Sequence, residues 1–209
     1  MGMSPREMIG ELKKIKRYSI LDFSITPLSS KSACKSKKLE KILSKIFGDR
    51  LIENLKLPFG CVAYDIANCR EIEFYEGSLQ KALRASASIP MIFRPVLKEG
   101  MVLVDGGLST RLPVNQCRTM GADLVIAVDV MGKPQTVEKL KNTLDMAERY
   151  AEINDYHTFL LKSQQQKIDV LIEPEVGEVS PYAFASYVKM FFAGYWAAID
   201  KLNDIVSLL

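Results

Sequence analysis

Apolar residues recur at helical spacing near the start of the chain, where Met8, Ile9, Leu12 and Ile15 fall on one stripe. Ser4 ahead of them fits an N-cap, Pro5 fits the first helical position, and Glu7 completes an S-x-x-E capping box. Lys13, Lys14, Lys16 and Arg17 suit the negative end of the helix dipole. The pattern predicts a helix with a buried face, of the kind found inside a domain. Residues 18–36 read as irregular and rich in Ser and Lys. Leu39, Ile42, Leu43, Ile46 and Phe47 then mark a second amphipathic helix, stopped by Gly48.

The period changes after that. Phe59 to Ile66 reads as a strand, Asn68-Cys69-Arg70 as a turn, and Glu71 to Tyr75 as the partner strand. A short helix follows from Leu79 to about Ser86, ended by Pro90. Met101 to Val104 is a short apolar strand that runs into Asp105-Gly106-Gly107. Residues 113–120 predict a short helix beginning at Pro113, and Leu124 to Val130 the clearest buried strand. A long helix is expected over 136–166, a short strand at Val170-Leu171-Ile172, and a final helical stretch over 183–208. Strands alternating with helices predict an α/β fold with a mainly parallel sheet. With no internal repeat, low-complexity tract or linker, residues 1–209 read as one domain.

Composition narrows the function classes. A hydrophobic content of 48% over 209 residues is enough for a sizeable core. A net charge of +3 carries no nucleic-acid signature, so no nucleic-acid partner is expected. Charge is uneven locally: Lys31 to Lys45 holds six lysines and one acid, Glu40. That segment is either a solvated face or a contact for anionic lipid headgroups. Cys34, Cys61, Cys69 and Cys117 form no C-x-x-C pair, and a single His157 excludes a His/Cys zinc constellation. They read as reduced thiols of a cytoplasmic protein, although Cys61 and Cys69 flank the predicted hairpin and are candidates to face each other. The N-terminal residues lack the apolar core of a signal peptide, and Arg6 breaks the myristoylation pattern. The apolar run from Met190 to Ile199 is about half the ~20 residues of a membrane span. The chain is expected to be soluble or peripheral at a membrane.

Val102-Leu103-Val104-Asp105-Gly106-Gly107 is where candidate chemistry begins. Three apolar residues carry the chain to a strand end, and in open α/β sheets sites lie beyond such ends. A carboxylate there can accept a proton from a nucleophile, while the two glycines let the backbone pass close to a neighbour. The same D-G pair also suits a turn in which the Asp merely caps the next segment.

The surrounding series is more specific than this fragment. V-A-Y-D-I-A-N-C-R-E-I-E-F-Y from Val62, A-L-R-A-S-A-S-I-P at 82–90, V-D-G-G at 104–107, Leu112-Pro113-Val114 and M-G-A-D-L-V-I-A-V-D-V at 120–130 follow one another in order. Together with G-M-S-P-R-E-M at 2–8, V-L-I-E-P-E-V-G at 170–177 and Ala193-Gly194-Tyr195, this series resembles the patatin-like phospholipase family, particularly its bacterial members. The resemblance implies a patatin-like three-layer α/β fold with a mainly parallel central sheet. It also implies lipid acyl-ester hydrolysis by a Ser–Asp dyad, without histidine, metal or cofactor. The dyad aspartate would be Asp105, the general base that takes the serine proton and returns it to the leaving alcohol, with Gly106 and Gly107 supplying site backbone. A lipid or other acyl ester would be the substrate, with peripheral membrane contact as a further expectation.

The departure from that pattern is as specific as the resemblance. No G-x-S-x-G occurs in the 209 residues, and the nearest approach, Gly107-Leu108-Ser109-Thr110-Arg111, lacks the second glycine and follows Asp105. No glycine-rich loop for an oxyanion hole is present either. The reading is therefore of a fold incomplete at its N-terminus, through a shortened gene, a trimmed chain or a non-catalytic design. The rival function is a catalytically inactive α/β module that binds lipid or a protein partner.

Other residues carry bland and functional readings side by side. Asp129 ends the predicted buried strand and faces a site or supports the structure; Asp65 reads as a turn residue, and Ser86 and Ser88 as helix-end hydrogen bonders. Arg84 and Arg94 read as surface cations or phosphate contacts. His157 is expected on a helix surface. Gly132-Lys133 is no Walker A loop, because Ala127 replaces its first glycine and Pro134 follows the lysine. The late aromatics Tyr182, Phe184, Tyr187, Phe191, Phe192, Tyr195 and Trp196 are expected mostly in the core, with a minority facing an acyl groove or a membrane.

Overall fold

The computed structural model describes residues 2–14, 36–90, 92–176 and 186–208. Ile15, Lys16, Arg17, Lys31, Cys34, Lys35, Tyr182 and Phe184, and the sequence reading of residues 18–35, lie outside the described residues. Contacts between Cα atoms divide the chain into two compact units, 1–108 and 109–209.

The first unit begins with α1 (Pro5–Lys14). Its capping box is formed as the sequence predicts: the Ser4 amide donates to Glu7 Oε2 at 2.7 Å and the Glu7 amide to Ser4 Oγ at 3.3 Å. Met8 on its apolar stripe is exposed and Ile9 is half-buried. Helix α2 (Lys37–Phe47) ends at Gly48, whose φ of 57° favours a residue without Cβ. A 3-10 turn (Ile52–Asn54) leads to the sheet.

That sheet has four strands in the order β2-β1-β4-β3: β1 (Cys61–Asp65), β2 (Arg70–Phe74), β3 (Val96–Lys98) and β4 (Met101–Asp105). Every neighbouring pair in it is antiparallel. This corrects the expectation of a mainly parallel central sheet. The helix between β2 and β4, α3 (Leu79–Ser86), does not carry the chain to a parallel neighbour; it lies on the sheet, and the chain returns through β3. The Glu99-Gly100 turn that joins β3 to β4 has φ of 49° and 78°, and two successive positive values suit a two-residue hairpin turn with right-handed strand twist. Ser78 caps α3 by accepting from the Lys81 amide, and its Leu79, Ala82 and Ala85 stripe is buried. The small side chains of Ala82 and Ala85 let the helix sit close to Ala63 and Leu103 and to the 3-10 turn at Ile52.

The second unit contains α4 (Val114–Thr119), β5 (Ile126–Val128), α5 (Thr143–Gln165), β6 (Val170–Ile172), α6 (Tyr187–Asp200) and α7 (Leu202–Val206). Here the pairing is parallel, β5 with β6, Ile126 opposite Val170 and Val128 opposite Ile172. Leu112, Val114, Val125, Ala127 and Phe159 form the core. Ile126 and Val128 are 41% and 46% exposed, so β5 is covered on one face only, where the sequence suggested burial on both. Helix α5 begins at Thr143, capped by Asn142 Oδ1 on the Asp145 amide, later than the pattern from residue 136 suggested. No residue of α6 is buried, and Phe191, Phe192, Tyr195 and Trp196 are exposed, against the expectation of core packing.

Candidate functional site

Asp105 is the last residue of β4, paired in register with Ala63 of β1. A 3-10 turn, Gly106–Leu108, follows at once. Gly106 is required by contact: a Cβ built there would stand 2.4 Å from the Val62 carbonyl oxygen, closer than any real side chain comes. The turn is thereby pressed against β1.

Asp105 Oδ1 accepts the Gly107 amide at 2.8 Å. This is the turn-capping role that a D-G pair suggests, and it occupies one carboxylate oxygen. Oδ2 takes no hydrogen bond among the described residues. The half-buried position raises the Asp105 pKa above the ordinary carboxylate value, and the Gly107 amide pulls only partly in the other direction. The Asp105 amide donates to the Ser88 carbonyl at 3.1 Å.

Other residues singled out by sequence have structural partners. Asp65 is buried and accepts from the amides of Ala67 and Val102 and from Asn68 Nδ2. Burial pushes its pKa up, but these hydrogen bonds outweigh burial and hold it below the usual carboxylate range. Ser88 is buried and bonds its hydroxyl to the Arg84 carbonyl, the helix-end role expected of it. Arg84, expected at the surface, is 6% exposed, with Glu40, Ser88 and the Arg94 carbonyl as partners. Arg94 and His157 are exposed. Cys61 pairs with Phe74 at one end of the β1–β2 hairpin while Cys69 sits in the turn at the other, so the two do not face each other. Burial pushes the Cys61 thiol up to about 11, leaving it a poor nucleophile at neutral pH.

Sequence reasoning missed the partner of Asp129. In the second unit Arg111 Nε and Nη2 bind Asp129 Oδ1 and Oδ2 at 2.8 and 2.7 Å, and Nη1 binds Asp155 at 2.9 Å. The guanidinium stands 4.7 Å from the centre of the Phe159 ring. Asp129 is 1% exposed and fully engaged, which gives it a structural role. Nothing in the spacing of residues 111, 129 and 155 announces this cluster. Among the described residues no group of His, Cys, Asp or Glu is placed to hold a metal ion, and no helix is long and apolar enough to cross a membrane.

Comparison with known proteins converges on one family. Residues 1–118 match the family model described as patatin-like phospholipase. The mouse patatin-like phospholipase domain-containing protein 7 is 35% identical over 129 residues, covering 61% of this chain and 9% of that protein. An uncharacterized NTE family protein of Mycobacterium tuberculosis is 32% identical over 120 residues, covering 57% of this chain and 33% of its own length. A lysophospholipase of Emericella nidulans is 37% identical over 86 residues, 41% of this chain and 6% of that protein. The chain spans a third or less of the length of these relatives.

Proposed function

This chain belongs to the patatin-like phospholipase family, and on that premise we propose that it supplies the general base, Asp105, to a Ser–Asp dyad that hydrolyses lipid acyl esters. The observation that carries the reading is the asymmetric carboxylate at the end of β4. Oδ1 is held by the Gly107 amide, Oδ2 remains open to a proton donor among the described residues, and burial favours protonation. Such a group is suited to take a proton and give it back.

In the reaction, Asp105 Oδ2 accepts the proton of a serine hydroxyl as that oxygen bonds to the ester carbonyl carbon. The tetrahedral intermediate then expels the alcohol, whose oxygen receives the proton from Asp105. Water repeats the sequence on the acyl-serine, releasing the fatty acid and freeing the serine. Backbone or side-chain donors must stabilise the oxyanion in both halves. The G-x-S-x-G serine is not in these 209 residues, so the nucleophile in this reading comes from sequence outside them.

The test is hydrolysis of a short acyl ester. The 209-residue chain alone should show none above background. A version carrying a G-x-S-x-G segment upstream should hydrolyse it, and Asp105→Asn in that version should lower kcat roughly 10²–10⁴-fold. Hydrolysis by the 209-residue chain that survives Asp105→Asn would refute the dyad and turn attention to Ser86, Ser88 and Ser109. Persistent inactivity of the extended version favours the rival, a lipid- or protein-binding module without catalysis.

The same reading places the protein in the cytoplasm, at membrane surfaces. Lys37, Lys38, Lys41 and Lys45 lie exposed on α2, which supports contact with anionic headgroups. Anionic vesicles should bind the chain more tightly than neutral ones, with affinity falling as salt rises. Equal binding to the two would remove this role from the lysines.

A further inference from the structure

The β3–β4 ladder stops short of Asp105, and its replacement is specific. Val96 pairs with Leu103 and Lys98 with Met101, so the same register would set residue 94 opposite Asp105. Pro95 intervenes, and the ladder ends at Val96. The Arg94 amide instead donates to Ser36 Oγ at 2.9 Å. The Asp105 amide points to that same vacated side of β4, and the Ser88 carbonyl takes it at 3.1 Å. Ser88 thus stands in for a strand that has ended.

Arg84 holds this arrangement together. Its Nη1 donates to Ser88 Oγ at 2.6 Å and its Nη2 to the Arg94 carbonyl at 2.8 Å. Ser88 Oγ donates in turn to the Arg84 carbonyl at 2.8 Å. One buried guanidinium therefore ties both ends of the segment from Ser88 to Arg94, with Glu40 3.3 Å from its Nε on the outer side. Planar, forked donors can hold two acceptors in fixed relation in a way that a lysine ammonium cannot. Ser88 is fully buried and its neighbour Ala85 nearly so, so the carbonyl has little room to turn once the hydroxyl is fixed.

We propose that Arg84 and Ser88 are positioning residues for Asp105, the guanidinium fixing the Ser88 carbonyl on the Asp105 amide and so setting where the carboxylate leaves β4. This rests on the reading of Asp105 as the dyad base, and it assigns a function to the A-L-R-A-S-A-S-I-P segment. Neither residue touches the reacting atoms. Their effect reaches the carboxylate through one backbone hydrogen bond, with Gly106 blocking retreat toward β1.

The experiment uses the 209-residue chain and needs no catalysis. Amide exchange and the Asp105 carboxyl titration are followed by NMR in the parent, Ser88→Ala and Arg84→Lys. Arg84→Lys keeps the charge and loses the fork, while Ser88→Ala keeps the backbone and loses the tie. The Asp105 amide should exchange about tenfold faster in each variant, the scale of one lost hydrogen bond. The Leu103 amide, held by β3, should keep its protection. The Asp105 carboxyl should titrate lower than in the parent, because a loosened strand end admits water. Unchanged exchange and titration at Asp105, or an equal loss at Leu103 and Asp105, would overturn the positioning role. Neither result bears on the ester assay, which tests the dyad separately.

Discussion

Strands β1 and β4 are antiparallel neighbours, and each ends on an aspartate, so the two residues stand at opposite ends of the short β1–β4 ladder, Asp105 opposite Ala63 and Asp65 opposite Leu103. At the β1 end, Asp65 receives the Ala67 and Val102 amides and the Asn68 side-chain amide, with Arg70 at 3.6 Å. At the β4 end, Asp105 receives one amide, from Gly107. Burial acts on both groups in the same direction. Hydrogen bonds from Asn68, Val102 and Ala67 reverse it at Asp65, and the one from Gly107 does not at Asp105. The difference teaches what separates a structural carboxylate from a candidate base: not depth, but how many donors are committed to its charged form. Asp65 closes a turn and binds it to β4, whereas Asp105 has one oxygen held by the Gly107 amide and the other without a hydrogen bond among the described residues.

The comparison breaks most severely at the glycines behind Asp105. Gly106→Ala places its Cβ 2.4 Å from a backbone oxygen, so β1 or the turn must move. Urea unfolding should show a loss of about 3 kcal/mol. Gly107→Ala puts its Cβ 3.1 Å from Asp105 Oδ1, a side-chain atom with room to yield. It should cost under about 1 kcal/mol while displacing the carboxylate. Equal costs for the two would mean that the close approach to Val62 does not define this end of the sheet.

A smaller effect is expected from Asp65→Asn. An amide nitrogen would face donors that now meet a carboxylate, and the thermal midpoint at neutral pH should fall by about 5 °C. Because the folded pKa is depressed, the Asp65 contribution is fully present above the ordinary carboxylate value and is lost as pH falls through the folded value. The gap between parent and variant should therefore narrow in acid. A gap independent of pH would remove the charged form from the explanation.

How much of this was legible in sequence depended on whether a signal was local. The Ser4–Glu7 capping box, the α3 helix ending before Pro90, and the β1–β2 hairpin are local, and each was read within a residue or two. The position of Asp105 at a strand end was read from three apolar residues and a D-G-G. The antiparallel sheet was not, because alternation of strands and helices does not say which strands become neighbours. Its key is β3, three residues long and easily passed over, although Glu99-Gly100 between Lys98 and Met101 is a recognisable two-residue hairpin turn. The buried Arg84 and Arg111 were invisible for a different reason. A cation is assigned to the surface by default, and only tertiary partners far along the chain, Glu40 for one and Asp129 for the other, make its burial tolerable.

The smallest predicted effect is also the one that sharpens the comparison most. Asp105→Asn keeps an oxygen for the Gly107 amide and removes a charge that burial disfavours. At neutral pH the variant should be slightly more stable than the parent, with a thermal midpoint higher by about 2 °C. The sign follows from the raised folded pKa: the native state binds more protons than the unfolded chain between the ordinary value and the folded value. Stability of the parent is therefore lost as pH rises through that window, and the asparagine variant escapes the loss. Below about pH 4 both states of the parent are protonated, and the advantage of the variant should vanish. The pH dependence is thus opposite in sign to that of Asp65→Asn, for the same chemical change at the other end of the β1–β4 ladder. Thermal melts of both variants against the parent from acid to neutral pH measure it directly. If Asp105→Asn destabilises the fold at neutral pH as Asp65→Asn does, Asp105 is a structural turn residue and the asymmetry between the two carboxylates disappears.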